Sequence, residues 1–228
     1  MNLENFRIRV QHAEEANELI SDITFEYIFD KIIAFEYSPG SNINESVLAD
    51  ELGVSRTPIQ KAIEKLVAMN LINKVSQKKA VIMPVSYEDC KSICDFRIII
   101  EGEAARLAAK YATHADLAYL KDNLTSMRQK FAKCEYPIFE DQLFHEKIIR
   151  MSKNPYIIQA YELYKYKILR YRAFLKQALF TSSPETMSHV NSTHTGIYNA
   201  IKNRLSSVAR DEMIYDLENM NDVLHILK

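Results

Sequence analysis

The chain has 228 residues, a formal net charge of −1 and 47% hydrophobic residues, but only 4 Gly and 6 Pro. This charge excludes a globally basic nucleic-acid-binding protein, and the scarcity of turn-forming residues favours long helices in about two domains. Three cysteines, no signal peptide and no apolar run long enough to cross a bilayer predict a reducing cytoplasm and no membrane association.

The first 34 residues contain no glycine or proline. Residues 1–21 are rich in Glu and Asn, and the sequence leaves open whether they form an extra helix or a frayed tail. From Asp22 to Ala34 the apolar residues recur at helical spacing and predict a helix. Ser38-Pro39-Gly40 then predicts a turn.

The stretch from Glu45 to Leu71 predicts two short helices joined by a turn at Gly53. Asn44 is a suitable N-cap for the first helix. The second helix is predicted to begin with Thr57 as its cap and Pro58 in the first helical position. A helix N-terminus with hydroxyl groups and a guanidinium suits a groove of DNA. The polar residues on or near this face are Ser55, Arg56, Thr57, Gln60, Lys61 and Lys65.

Two short β-branched runs, residues 71–75 and 80–83, flank the segment Ser76-Gln77-Lys78-Lys79 and predict a β-hairpin with a basic tip. Residues 55–79 contain six basic residues and one acidic residue, a local charge of +5. A helix, a helix–turn–helix and a basic hairpin follow one another in the order of a winged helix. A plain helical hairpin with a surface turn is the alternative.

Pro84-Val85-Ser86 marks a boundary, after which only helical periodicity is found. This region predicts an antiparallel six-helix bundle, so the fold class is mainly α, with an N-terminal winged helix-turn-helix domain. The six predicted helices are residues 86–111, 114–133, 136–152, 155–180, 184–203 and 205–227. The predicted domains are an N-terminal extension (1–21), a DNA-binding domain (22–84) and an all-helical effector-binding and dimerisation domain (85–228).

Four polar residues of the bundle lie among apolar neighbours. Asp141 and His145 are one turn apart on one predicted helix and project from the same face, whereas His194 and Asp216 belong to later helices. Bundles build metal sites from inward carboxylates and imidazoles on facing helices, and such a mixed set suits Zn²⁺, Ni²⁺ or Mn²⁺. The alternative is a hydrogen-bonded core histidine and a simple ion pair on one helix.

The residues now described resemble a known family. The segment Leu48–Leu66, with the core Gly53-Val54-Ser55-Arg56-Thr57-Pro58, resembles the GntR superfamily of bacterial transcription regulators. The second region resembles the FCD-type ligand-binding domain of the FadR subfamily, and its six helices are similar to the VanR-type branch. The matching residues there are Phe96-Arg97 with Glu101, Asp141-Gln142-Leu143-Phe144-His145, Asn154-Pro155, His194 and Ala200-Ile201.

The resemblance implies a homodimer, joined largely through the bundle, that binds a near-palindromic operator in double-stranded DNA. Each recognition helix would enter a major groove and each hairpin tip would reach toward the minor groove. A small organic acid would bind inside the bundle beside a divalent metal, whose ligands match Asp141, His145 and His194. Arg97 matches a family arginine near the effector site, where a guanidinium can pair with a carboxylate.

This sequence departs from the family pattern at several positions. Ser46 and Gln60 stand where the family has arginines, and Gln60 could read adenine instead. Asp216 stands where the fourth metal ligand is usually His, and this harder donor shifts the expected metal preference. The expected DNA contacts are Ser46, Ser55, Arg56, Thr57, Gln60, Lys78 and Lys79, with the two lysines binding phosphate in the wing.

The leading hypothesis is a cytoplasmic, nucleoid-associated transcription regulator, expected to act as a repressor. A second hypothesis is a helical metalloenzyme that uses the Asp/His cluster, although no nucleophile or general-base motif accompanies it. A third is an interaction protein whose winged helix binds another protein. The effector, the operator and the regulated genes are not defined by the sequence.

Overall fold

The computed structural model describes residues 1–76, 79–133, 135–180 and 184–226, with side chains described for all of these except 176–191 and 220–226. The chain forms two compact units, Met1–Val85 and Ser86–Lys228. The elements of the first unit are α1 (Leu3–Gln11), α2 (Ile20–Ile33), β1 (Asn42–Asn44), α3 (Glu45–Leu52), α4 (Arg56–Ala68), β2 (Ile72–Lys74) and β3 (Lys79–Ile82).

The N-terminal extension forms a helix that packs on the rest of the first unit. Phe6 of α1 is fully buried, and its ring centroid lies 5.1 Å from that of Tyr27 on α2. Arg9 binds two carboxylates, those of Glu18 at 2.9 Å and Glu26 at 2.6 Å. Of the two possibilities that the sequence leaves open, the structure therefore has the helix, and this helix is part of the core of the first unit.

Phe6→Ala is expected to lower the free energy of unfolding of the first unit by about 3–5 kcal/mol, because it leaves a cavity against Tyr27. Ile8→Ala is the matched control, since Ile8 lies on the same helix but is 48% exposed. Urea unfolding, with amide hydrogen exchange of α2 as the reporter for this unit, measures both. Equal effects of the two substitutions would contradict the packing of α1.

The helix–turn–helix forms, with one difference at its second helix. The side chain of Asn44 caps α3 by accepting from the N–H groups of Ser46 and Val47, and Gly53 ends α3 with a φ of 70°. The prediction that Thr57 caps α4 is wrong, because Ser55 is the N-cap and the helix begins at Arg56. Pro58 fits inside the first turn because N–H groups there have no partner within the helix.

The predicted hairpin forms from β2 and β3, which pair antiparallel with Ile72 opposite Ile82. The short strand β1, which was not predicted, pairs with β3 and completes a three-stranded sheet of order β1-β3-β2. Its three residues are too few to carry an alternating pattern. Lys78, at the predicted basic tip, lies outside the described residues, whereas Lys79 is exposed at the start of β3.

The second unit is helical, and its described part contains the six predicted helices with similar bounds. Ser86 caps the first helix by accepting from the N–H of Asp89, and Thr113 and Asp116 form a capping box at the second. None of the described helices is both long and apolar enough to cross a bilayer. The helices are α5 (Tyr87–Tyr111), α6 (His114–Ala132), α7 (Ile138–Met151), α8 (Pro155–Phe180), α9 (Pro184–Lys202) and α10 (Ser206–Ile226).

Helix α5 packs closely against α10, because its facing residues are small. Gly102 lies so close to α10 that an added Cβ would be 3.1 Å from the side chain of Ile214, which would have to shift by a few tenths of an ångström. This close approach brings the buried side chains of α5 to the middle of the bundle. Ala105 and Ala109 lie close to the direction of Gly102 on the helix and are also fully buried.

Candidate functional site

The N-terminus of α4 is exposed and polar. Ser55, Arg56, Thr57 and Gln60 are all exposed, and the side chain of Ser55 makes no cap hydrogen bond to the helix. The first N–H groups of a helix have no partner within the helix and attract anions such as phosphate. This end of α4 therefore has both the side chains and the backbone groups for contact with a DNA groove.

The basic residues of the first unit differ in how they are engaged. Lys65 pairs with Asp22 of α2, and Lys74 lies 3.6 Å from the buried carboxylate of Glu45. Arg56 makes no ion pair within the described part of the chain and remains available to an external anion. Ser46, at the start of α3 in the same helix–turn–helix, is half-buried, so part of its side chain is accessible to solvent.

The bundle brings the four predicted metal-binding side chains together in its interior. Asp141 and His145 come from α7, His194 from α9 and Asp216 from α10, and all four are less than a tenth exposed. The Nε2 atoms of the two histidines lie 3.2 Å apart. The Oδ1 atom of Asp141 lies 2.8 Å from His194 Nε2 and 3.6 Å from His145 Nε2. These three residues can each direct one ligand atom at a common point.

Asp216 approaches the same cluster from α10. One of its oxygens lies 3.5 Å from His145 Nε2, and the other lies 3.3 Å from His194 Nδ1 and accepts from the Thr193 hydroxyl. The carboxylate is thus divided between the cluster and a hydrogen bond that orients it. The convergent group of ligand atoms therefore comprises Asp141, His145 and His194, and Asp216 lies beside it. A mixed set of imidazoles and carboxylates suits Zn²⁺, Ni²⁺ or Mn²⁺.

A third carboxylate, which belongs to α5, orients His145. Glu101 Oε2 lies 2.5 Å from His145 Nδ1, and Glu101 is itself bound by Arg97 through Nε at 2.6 Å and Nη2 at 3.3 Å. A hydrogen bond from Nδ1 to a carboxylate leaves the Nε2 lone pair directed at a metal. Burial alone would raise the pKa of Glu101, but the charge of Arg97 and the hydrogen bond with His145 hold it well below its usual range.

Arg172 of α8 also reaches the cluster, although the sequence did not single it out. Its Nη1 donates to Asp141 Oδ2, and its side chain is only 1% exposed. Burial alone would raise the pKa of Asp141, but Arg172 and hydrogen bonds with His145 and His194 hold it well below its ordinary value. Asp141 is therefore ionised at neutral pH, as a metal ligand must be.

The chemistry of the donors fits a divalent cation. Two imidazole nitrogens and a carboxylate oxygen converge in a buried space, where hydrogen bonds join them to one another, and a divalent cation can replace the shared protons between them. The open volume beside them is about 10 Å³, which is about the space of one small ion or water. The cavity is lined by Arg97, Tyr136, Asp141, His145, Arg172, His194 and Asp216.

An exposed winged helix and a helical domain with a buried polar cavity are the two parts expected of a class of two-domain DNA-binding regulators. The family model for the bacterial regulatory proteins of the gntR family matches residues 21–82, and the FCD domain model matches residues 92–219. The chain belongs to the GntR family and has an FCD domain. It is a DNA-binding transcription regulator and not an enzyme.

Curated relatives agree with this family. The chain is similar to the HTH-type transcriptional regulator LutR of Bacillus subtilis (strain 168), with 26% identity over 205 residues, covering 83% of this chain and 94% of LutR. It is 27% identical over 201 residues to the gluconate operon transcriptional repressor of Bacillus licheniformis, covering 85% of this chain and 79% of the repressor. These relatives support the FadR-subfamily assignment.

A solved structure, E. coli McbR/YncC, has the same fold. It superposes with a TM-score of 0.73 at 20% sequence identity and covers 91% of this chain and 97% of its own. This likeness supports the fold described for the winged helix and for the helical domain.

Proposed function

We propose that this regulator is a homodimeric repressor that binds a near-palindromic operator and is controlled by a small organic acid. DNA binding would lie in residues 22–84, and sensing and dimerisation in residues 85–228. The observation that carries the proposal is the exposed N-terminus of α4, where Ser55, Arg56 and Thr57 surround unpaired helix N–H groups. Two such helices, related by a two-fold axis, match two half-sites about one helical turn apart.

The side chains of this surface divide into base-reading and phosphate-binding residues. Arg56 can bind guanine O6 and N7 through two hydrogen bonds, and Gln60 can bind adenine N6 and N7. The hydroxyls of Ser46, Ser55 and Thr57, with the wing lysines Lys78 and Lys79, suit phosphate oxygens and fix the register. The operator therefore contains a contacted guanine and a contacted adenine in each half-site.

The bundle is the proposed sensor. Asp141, His145, His194 and Asp216 would hold one divalent ion, which would supply a Lewis-acid site for a carboxylate oxygen when bound. Arg97 stands near this site and is the arginine expected from the family to face the effector. One relative is by name the repressor of a gluconate operon, which supports the repressor role.

Selection of genomic fragments by the purified full-length protein tests the proposal. We expect enrichment of one near-palindromic sequence, and operator affinity should fall about 10³- to 10⁵-fold between 50 and 200 mM salt if roughly 6–10 phosphates are contacted. Analytical ultracentrifugation should give a dimer both alone and on DNA. Failure to enrich any sequence would contradict the proposal, and a monomer on a single half-site would contradict its dimeric part.

A further inference from the structure

The wall of the bundle cavity contains a guanidinium with two unpaired donors. Arg172 is 1% exposed and uses Nη1 to bind Asp141. Its Nε and Nη2 atoms are buried and have no hydrogen-bond partner among the described residues. Buried polar groups, and buried charges above all, almost always have partners, so an unpaired pair on one charged side chain points to a missing acceptor.

The two unpaired atoms define the shape of that acceptor. Nε and Nη2 lie along one edge of the planar guanidinium, and their N–H bonds run nearly parallel, so they match the two oxygens of one carboxylate. Because Asp141 holds Nη1, the Nε–Nη2 edge is the part of the group left for an external acceptor. The edge therefore has the donor geometry to bind a planar anion with two oxygens.

Another arginine of the same bundle already binds the two oxygens of a carboxylate in this way. Arg97 uses its own Nε and Nη2 edge to bind both oxygens of Glu101, at 2.6 and 3.3 Å. That edge of Arg97 is consequently filled by an internal carboxylate, which in turn holds His145 at 2.5 Å. Of the two arginines that line the cavity, Arg172 is the one whose carboxylate-binding edge is free.

We infer that Arg172 is the anchor for the carboxylate of the effector, and that Arg97 is a positioning residue for Glu101 and His145. This inference rests on the proposed control by a small organic acid and names the side chain that recognises it. Only about 10 Å³ is open beside the donors, so the acid must be small and the lining side chains must move aside as it enters. A metal held by Asp141 would then lie within reach of the same ligand.

Titration calorimetry of the full-length protein, loaded with one equivalent of Zn²⁺, tests this. The probes are acetate, lactate, succinate and citrate, with inorganic phosphate as a separate arm. Arg172→Lys keeps the charge but loses the two-donor edge, and should weaken carboxylate binding by about 10- to 100-fold. Arg97→Lys should instead weaken Zn²⁺ binding by about 10- to 100-fold, as loss of an outer-shell partner does. Arg150→Lys, an exposed arginine paired with Glu146 and Glu162, is the matched control.

At saturating Zn²⁺ the fold-loss of carboxylate affinity in Arg172→Lys should exceed the fold-loss in Arg97→Lys by about tenfold or more. Equal losses, or a larger loss in Arg97→Lys, would overturn the inference. Binding of phosphate without binding of any carboxylate would also overturn the inference. The same holds if no probe binds at concentrations up to about 10 mM, which exceeds the Kd of a specific millimolar ligand.

A crystal structure of the unmodified protein with the bound acid provides a test that does not depend on the variants folding. The carboxylate should lie within hydrogen-bond distance of Arg172 Nε and Nη2, and a carboxylate on Arg97 alone would refute the assignment. Operator selection uses the protein without added acid, so a failure of DNA binding would count against the proposed function and leave the comparison of the two arginines intact.

Discussion

Arg56→Ala is expected to abolish specific operator binding and to leave both units folded. The side chain is exposed at the first position of α4 and makes no ion pair within the described part of the chain, so its removal leaves no buried group unpaired. One arginine–guanine contact contributes about 1–3 kcal/mol of discrimination, so two copies in a dimer would lose roughly 2–6 kcal/mol. Fluorescence anisotropy with the selected operator measures the loss, and circular dichroism verifies the fold.

Two further variants separate base reading from charge. Arg56→Lys keeps the charge but cannot form the two-donor contact, so it should retain salt-dependent, non-specific binding and lose the preference for guanine. Arg150→Ala removes an exposed arginine from the bundle and should leave operator affinity within about 0.5 kcal/mol of the unmodified protein. Specific binding retained by Arg56→Ala would show that α4 does not read the operator.

His145→Ala and His194→Ala should each reduce the bound metal from one ion per chain to near zero. The two Nε2 atoms lie 3.2 Å apart and face the same carboxylate oxygen, so neither imidazole can be removed without breaking the donor set. An ion bound there would also stabilise the fold by mass action, by about 2.7 kcal/mol when its free concentration is 100 times Kd. Elemental analysis of protein purified without chelators or a nickel column measures the metal, and thermal unfolding with and without EDTA measures the stabilisation.

A graded variant and a control refine this test. Glu101→Gln keeps both direct histidine ligands but weakens the orientation of His145, so metal affinity should fall about 10- to 100-fold and the site should still fill at high metal. His114→Ala removes an exposed histidine at the start of α6 and should change neither metal content nor stability appreciably. A metal content near zero in the unmodified protein would contradict this prediction and show that the Asp/His cluster holds no ion.

Local signals in the sequence were sufficient to predict most of the fold. Asn44, Gly53 and Ser86 each act through their own backbone neighbours, and the structure has all three where the pattern predicts. The start of α4 was misjudged because Ser55 and Thr57 both carry a hydroxyl, and the choice between them depends on the turn geometry. The strand β1 was missed because its partner β3 lies far along the chain.

The candidate site was predictable where spacing alone brings side chains together. Asp141 and His145 share a face because they are one turn apart, whereas the approach of His194 and Asp216 depends on how three helices pack. Arg172 could not be singled out because α8 carries several cations, and no local signal says which of them turns inward. The contact by which Glu101 orients His145 could not be predicted either, because the two residues lie 44 positions apart in the sequence.

The helix α1 has a consequence for how related sequences are compared. The family match begins at residue 21, yet Phe6 is fully buried against Tyr27, so the boundary drawn by similarity cuts through the physical core of the first unit. A recombinant fragment that starts at residue 21 would expose an aromatic surface and release the carboxylates held by Arg9. Aggregation of such a fragment would then report a lost internal contact and not a weak DNA-binding domain.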